Sequence, residues 1–324
     1  MSGADASASG GGAARAPVAI VGAGSIGVAW ALVFARAGHA VALHDPDPSR
    51  LAAAPAELDE RLALLSAHEL LDEAAAPIAA RVRAAPDLAD ALAGAVHVQE
   101  CAPERVELKR ELFARLDVLA AAGATLASSS SALPASRFAA DLPGRGRVLV
   151  AHPGNPPYLL PVVELVPAPF TAPETVDRCE ALMTGAGMAP VRVAAEVEGF
   201  LFNRLQGAVL REAYALVRDG VATVEEIDRV MRDGLGRRWA LIGPFETVDL
   251  NTRGGIASHA EKMGPAYARM GAERGQDDPW TPELVARVAA ERRALLPLER
   301  WERRVAWRDE ALMTLERARR ELPA

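Results

Sequence analysis

Lysine is nearly missing from this chain: Lys109 and Lys262 are the only two, and arginine supplies the rest of its 36 basic residues. With 43 acidic residues the net charge is −7, which argues against nucleic acid as a general partner, because a phosphate backbone would be repelled. Cysteine is as scarce. Cys101 and Cys179 stand without metal-ligand spacing, so no disulfide framework and no metal site are expected, and a reduced, cytoplasmic setting is. Half of the residues are apolar, yet no uninterrupted run approaches the roughly eighteen residues of a membrane span. Residues 1–16 have neither the cationic start nor the apolar middle of a secretory signal and read as a disordered tail. Aromatic residues make up only 5%, which leaves few side chains, Trp239 and Tyr158 among them, for a ligand that needs an aromatic cage.

What is present alternates between two periodicities. Short apolar runs at Val18–Val21, Ala40–His44, "AVHVQE" and "ATLASSS" read as buried strands, and the 3.6-residue repeat of "ERVELKRELFARLDVLA" as a helix between two of them. Helical pattern also covers 48–92. Strands alternating with helices predict an α/β domain with a parallel, doubly wound sheet over residues 17–197. Near Glu198 the pattern changes. "GFLFNRLQGAVLREAYALVRDG" predicts a long amphipathic helix closed by Gly220, and residues 198–324 are expected to form an all-α domain.

"GAGSIG", Gly22 to Gly27, follows the first strand and opens a helix, and Asp45 ends the second strand. In that context Gly22 permits the tight turn, Gly24 lets a pyrophosphate approach the backbone, and Gly27 lets the helix pack closely on the strand. Gly22, Gly24, Ser25, Ile26 and Gly27 are therefore expected to hold a dinucleotide. Asp45 would accept from ribose hydroxyls and repel a 2′-phosphate, which favours NAD over NADP.

"VLVAHPGNPPYLLPVVELVP" places His152 and Glu164 in chain that otherwise reads as buried strand. A lone buried carboxylate costs several kcal/mol or takes up a proton unless a partner compensates it, and a histidine is such a partner. Glu164 could then fix the tautomer of His152 and leave its other nitrogen to take a proton from an alcohol. A static structural ion pair is the competing reading. Two further features sharpen the choice: four serines, Ser128 to Ser131, at the end of a strand, where such sheets bind ligands, and Asn203 on the first helix of the second domain.

In this order along the chain, "VGAGSIG", Asp45, "PERVELK", "SSSSALP", "HPGNPP" with "VELVP", and "GFLFNRL" resemble the 3-hydroxyacyl-CoA dehydrogenases. The resemblance implies His152 as catalytic base, Glu164 as its orienting carboxylate, Ser131 and Asn203 as contacts of the reacting oxygen, and Glu104 and Lys109 as NAD contacts. It also implies a homodimer through the helical domain.

"GLGRRWALIGPFETVDLN" and "WRDEALMTL" are similar to the λ-crystallin branch, whose enzymatic members are L-gulonate 3-dehydrogenases acting on a free 3-hydroxy acid. The charge pattern agrees. In that family a lysine-rich helix after the second strand meets the CoA phosphates, whereas here residues 50–73 carry Arg50 and Arg61 among six acids. A small carboxylate needs only one fork of donors, for which Arg238 is the candidate. A carnitine dehydrogenase, a 3-hydroxyacyl-CoA dehydrogenase proper and a crystallin-like NAD-binding protein without turnover stay open as alternatives.

Overall fold

The computed structural model describes residues 15–240, 243–251, 255–275 and 297–321, with scattered positions between 283 and 294. The tail expected over 1–16 lies outside these residues except for Arg15 and Ala16, which belong to the first strand. Leu241 and Ile242 of the "GLGRRWALIGPFETVDLN" stretch also lie outside them.

The elements run β1 (Arg15–Val21), α1 (Ser25–Arg36), β2 (His39–His44), α2 (Pro48–Ala67), α3 (Ala75–Ala80), β3 (Val82–Ala84), α4 (Leu88–Leu92), β4 (His97–Glu100), α5 (Val106–Leu119), β5 (Thr125–Ser128), α6 (Ser136–Ala139), β6 (Val148–Pro153), β7 (Val162–Pro167), α7 (Pro173–Gly185) and β8 (Ala189–Arg192). They build one eight-stranded sheet of order β3-β2-β1-β4-β5-β6-β7-β8. Neighbours are parallel throughout except β6 and β7, so the parallel, doubly wound sheet expected from sequence forms with one antiparallel pair.

Apolar side chains cover both faces. Along β1, Val18 and Ile20 enter one core and Ala19 and Val21 the other, which is why these strands read as unbroken apolar runs rather than alternating ones. α1 is buried on every side from Gly27 to Ala35, and its sequence, apolar all round, matches that position. α2 instead buries one stripe, Leu51, Ala54, Leu58, Leu62 and Leu65, and starts on Asp47, whose carboxylate accepts from the Ser49 amide. Residues 48–92 are not helical throughout: β3 interrupts them, a three-residue strand in alanine-rich chain with no alternation to mark it.

The residues after β8 continue through Gly199 into α8 (Phe202–Arg218), which ends before Gly220, whose φ of +71° suits glycine. α9 (Val224–Val230) begins with a capping box between Thr223 and Glu226, and α10 (Gly236–Trp239), α11 (Pro244–Asn251) and α12 (Gly255–Arg274) follow. Contacts divide the chain into two compact units. One runs to Arg204 and takes in the residues from Trp307 on; the other is Leu205–Ala306. The final helix, Trp301–Arg320, thus gives most of its length to the sheet-bearing unit, where Met313 is fully buried and Arg317 pairs with Glu69 at 3.4 Å.

Candidate active site

β1, β4, β5 and β6 are mutually parallel, so their carboxyl ends lie at one edge of the sheet, and each delivers a different group there. β1 delivers the glycine loop. A methyl group on Gly27 would lie 1.8 Å from the Gly22 carbonyl oxygen and one on Gly22 2.8 Å from that of Cys101, so neither position tolerates a side chain. One on Gly24 would meet only the Arg50 guanidinium, at 3.6 Å. The loop is closed on its inner side and open where a pyrophosphate would lie over the start of α1. Asp45 closes the neighbouring strand end, its Oδ2 accepting from the Ala23 amide at 2.7 Å and its Oδ1 from the Asp47 amide at 2.9 Å. Two glycines that admit no side chain, an open face at Gly24 and an acid at the second strand end fit NAD.

β6 delivers His152. Antiparallel pairing with β7 sets His152 directly opposite Glu164, and the Nδ1···Oε2 distance is 2.8 Å. The other carboxylate oxygen, Oε1, accepts from the amides of Leu201 at 2.6 Å and Phe202 at 2.9 Å, at the start of α8. Those amides are aimed by two consecutive residues of left-handed conformation, Gly199 at φ +74° and Phe200 at +49°. For phenylalanine that conformation is unfavourable, and full burial of the ring holds it there. Burial opposes ionisation of Glu164, but the hydrogen bonds from His152 and from the two amides outweigh it and hold the carboxyl below its usual range. An ionised carboxylate can only accept, so Nδ1 of His152 carries hydrogen, and in the neutral imidazole Nε2 is then the nitrogen with the lone pair. Nε2 has no hydrogen-bond partner among the described residues, and Phe200 and Phe202 flank the ring at 5.7 and 6.2 Å between centroids.

β5 delivers the four serines, and their neighbours separate them. The Ser128 hydroxyl donates to Glu100 at 2.6 Å; that of Ser129 accepts from Trp30 at 3.1 Å and from Gln99 at 2.7 Å; that of Ser130 donates to Glu104. Only Ser131 is exposed with its hydroxyl unpartnered among the described residues, and its carbonyl accepts from Asn203 Nδ2 at 2.8 Å. The serine and the asparagine singled out in the sequence are therefore adjacent. Gln99 was not singled out. Its side chain also donates to the Ala151 carbonyl at 3.2 Å, one residue before His152, so it ties β5 to β6 beneath the site.

Of the two expected cofactor contacts, Lys109 is enclosed and Glu104 is exposed. Lys109 is 1% exposed, its ammonium 2.7 Å from both oxygens of Glu100 and 3.2 Å from Ser128 Oγ, so its donors are spent inside the protein and not at the loop surface. Oε1 of Glu104 accepts from Ser130 and from the amides of Ala132 and Leu133, which staples the serine loop in place. Arg238 belongs to the second unit, where it is exposed on α10; it is not among the groups that the first unit assembles.

These groups have counterparts in known proteins. The 3-hydroxyacyl-CoA dehydrogenase NAD binding domain matches residues 17–197 and the C-terminal domain of the same family matches residues 199–294. A lambda-crystallin homolog of Bos taurus is 42% identical over 320 residues, 98% of this chain and 99% of its own. The L-carnitine dehydrogenase of Streptomyces griseus is 40% identical over 273 residues, 82% of this chain and 78% of its own. Among solved structures, the NAD+-dependent 5-formyl-3-hydroxy-2-methylpyridine 4-carboxylic acid 5-dehydrogenase superposes with a TM-score of 0.81 at 27% identity, over 93% of this chain and 97% of that one. No helix among the described residues is long and apolar enough to cross a membrane. A glycine loop shaped for NAD, an imidazole oriented by a buried carboxylate and near full-length identity of this degree have one reading: the chain belongs to the 3-hydroxyacyl-CoA dehydrogenase family and is an NAD-dependent dehydrogenase of that type.

Proposed function

We propose that the enzyme oxidises the 3-hydroxyl of a short, free hydroxy acid, with L-gulonate to 3-dehydro-L-gulonate the leading case. The observation that carries this reading is the charge on and after α2. Its only arginines or lysines across residues 50–73 are Arg50 and Arg61; Arg61 is engaged with Ser25 and Glu57, and Arg50, exposed, lies 3.8 Å from Asp47. The phosphates of CoA would meet six carboxylates there instead of a lysine-rich helix. The pyridine carboxylic acid dehydrogenase and the L-carnitine dehydrogenase support a substrate without CoA.

Bound NAD supplies the hydride acceptor. Nε2 of His152 takes the hydroxyl proton, and Glu164, already ionised, stabilises the imidazolium that results. The Ser131 hydroxyl and the second amide hydrogen of Asn203 steady the substrate oxygen. Arg238 is proposed to meet the substrate carboxylate, and Arg238→Ala is then expected to raise KM for the acid with little change in kcat. Exposed Leu210, Val221, Val230, Leu235 and Phe245 on the second unit support a homodimer through that unit, to be read by light scattering. Both cysteines are free, which supports a reducing, cytoplasmic setting.

The test is NADH formation with L-gulonate, L-carnitine and 3-hydroxybutyryl-CoA, each with NAD and with NADP. Fastest turnover of L-gulonate with NAD is expected. A preference for the thioester would reject the free-acid reading, and silence with all three would favour a binding protein.

A further inference from the structure

Of the two arginines of α2, Arg50 is exposed and Arg61 is not. Arg61 reaches back to the first residue of α1: its Nη1 donates to the Ser25 carbonyl at 2.9 Å and its Nη2 to the Ser25 hydroxyl at 2.8 Å. One turn earlier on α2, Glu57 pairs with the same guanidinium, whose side chain is only 13% exposed. The guanidinium carbon lies 5.6 Å from the centroid of the Tyr158 ring, within cation–π range. Tyr158 is buried in the loop joining β6 and β7, the strands that carry His152 and Glu164. One side chain therefore ties the loop that receives the pyrophosphate to the loop between the two members of the acid–base pair.

The bond to Ser25 has a direction. Arginine cannot accept, so the Ser25 oxygen is the acceptor and its own hydrogen is left to point elsewhere. A hydroxyl that accepts from a cation is a stronger donor through its remaining hydrogen. Ser25 stands at the head of α1, where unpaired amides and the helix dipole already favour an anion. We propose that Arg61 is a positioning residue for the cofactor: it turns Ser25 into a directed donor toward the NAD pyrophosphate and, through Tyr158, sets that loop against the strands that bear His152. The inference rests on the glycine loop being the dinucleotide site. It does not depend on which hydroxy acid is oxidised.

A plain structural staple between α2 and α1 would lower stability and leave cofactor affinity alone, so the test reads both. NADH affinity is measured by fluorescence titration, and the melting temperature without cofactor is taken, for the full chain and for Arg61→Lys, Ser25→Ala and the double variant. Arg61→Lys keeps the charge and the helix propensity but cannot hold both Ser25 atoms. Each single variant is expected to weaken NADH binding about tenfold, the loss of one charge-assisted hydrogen bond. The double variant should be no worse than the weaker single, with melting temperatures close to that of the parent. Unchanged NADH affinity in Ser25→Ala would overturn the proposal, as would losses that multiply in the double variant. If Arg61→Lys proves unstable, Ser25→Ala, which removes only one hydroxyl, still decides.

Discussion

Glu100 and Glu164 are both buried carboxylates in the same sheet, each paired with a basic side chain, Lys109 at 2.7 Å and His152 at 2.8 Å. The surroundings differ in what they leave over. Around Glu100 every strong group is saturated: the ammonium spans both oxygens, the Ser128 hydroxyl donates to one, and the Ala102 amide donates to the other at 2.7 Å. Around Glu164 the carboxylate is equally saturated, by the imidazole and two amides, but the imidazole keeps one nitrogen in reserve. The Lys109 donors are spent on Glu100 and Ser128, whereas an imidazole with one nitrogen unpartnered has an atom to offer an incoming group. The chemistry of a buried pair therefore depends on whether the basic partner has an atom left to use.

The sharpest way to break that comparison is to remove each base. His152→Gln keeps a polar side chain of similar size but no proton acceptor of comparable basicity, so turnover should fall by about 10³- to 10⁴-fold with NADH affinity nearly unchanged. Glu164→Gln, which retains an acceptor and loses the charge, should cost about 10²-fold. Steady-state kinetics beside an NADH titration checks both, and near-parental turnover in His152→Gln would end the assignment.

Lys109→Met should act on stability instead. It strands the Glu100 charge in the interior, at a cost of about 3–5 kcal/mol, and Glu100→Gln in the same chain should recover most of it. Chemical denaturation measures the loss, while the folded fraction is expected to keep its turnover. A stable Lys109→Met protein that had instead lost NADH affinity would return Lys109 to the cofactor.

The same contrast separates what was legible in the sequence from what was not. His152 and Glu164 could be paired by eye because each is an ionisable residue in apolar strand chain, and two such residues need one another. Glu100 carries the same cue at the end of "AVHVQE", but its partner sits on α5 in a helical pattern where a lysine normally faces solvent. The glycine loop was legible because its spacing and its strand–helix setting are local. β3 and β8 were not, being three and four residues long without alternation. Nor was the inward place of Met313 on the last helix, since arginines and glutamates surround it in the sequence and make the segment read as a solvated face. Which of four identical serines is free depends on Glu100, Gln99 and Glu104 across the strands, and no local pattern encodes that.

Those serines offer a finer comparison. Ser131→Ala should lower kcat/KM by about tenfold, one hydrogen bond to a developing charge, without moving the melting temperature. Ser128→Ala, three residues earlier, should leave kcat intact and cost about 1 kcal/mol by removing a donor from Glu100. The reverse pattern would relocate the substrate contact within the run.

The smallest expected effect lies at a third buried base, His97 in β4, which has no carboxylate. Burial pushes its pKa down to about 4, against the support of a 3.0 Å hydrogen bond to Gln99. The unfolded chain binds a proton near its ordinary pKa of about 6.5 while the folded chain stays neutral, so stability falls as pH drops between those values. His97 should account for a loss of about 1 kcal/mol from pH 7 to 5.5, and His97→Gln should remove that share, leaving the share of His39, which burial also holds below its usual range. Glu164 and Glu104 differ in window: held below the usual carboxylate range, they lose their contributions only at lower pH, as they take up protons in the folded protein. Denaturant midpoints of parent and variant at pH 7 and 5.5 isolate the histidine, because over that range both carboxylates stay ionised in the folded state. A parallel fall in the two proteins would mean that another group drives it, and that His97 takes up its proton in the fold.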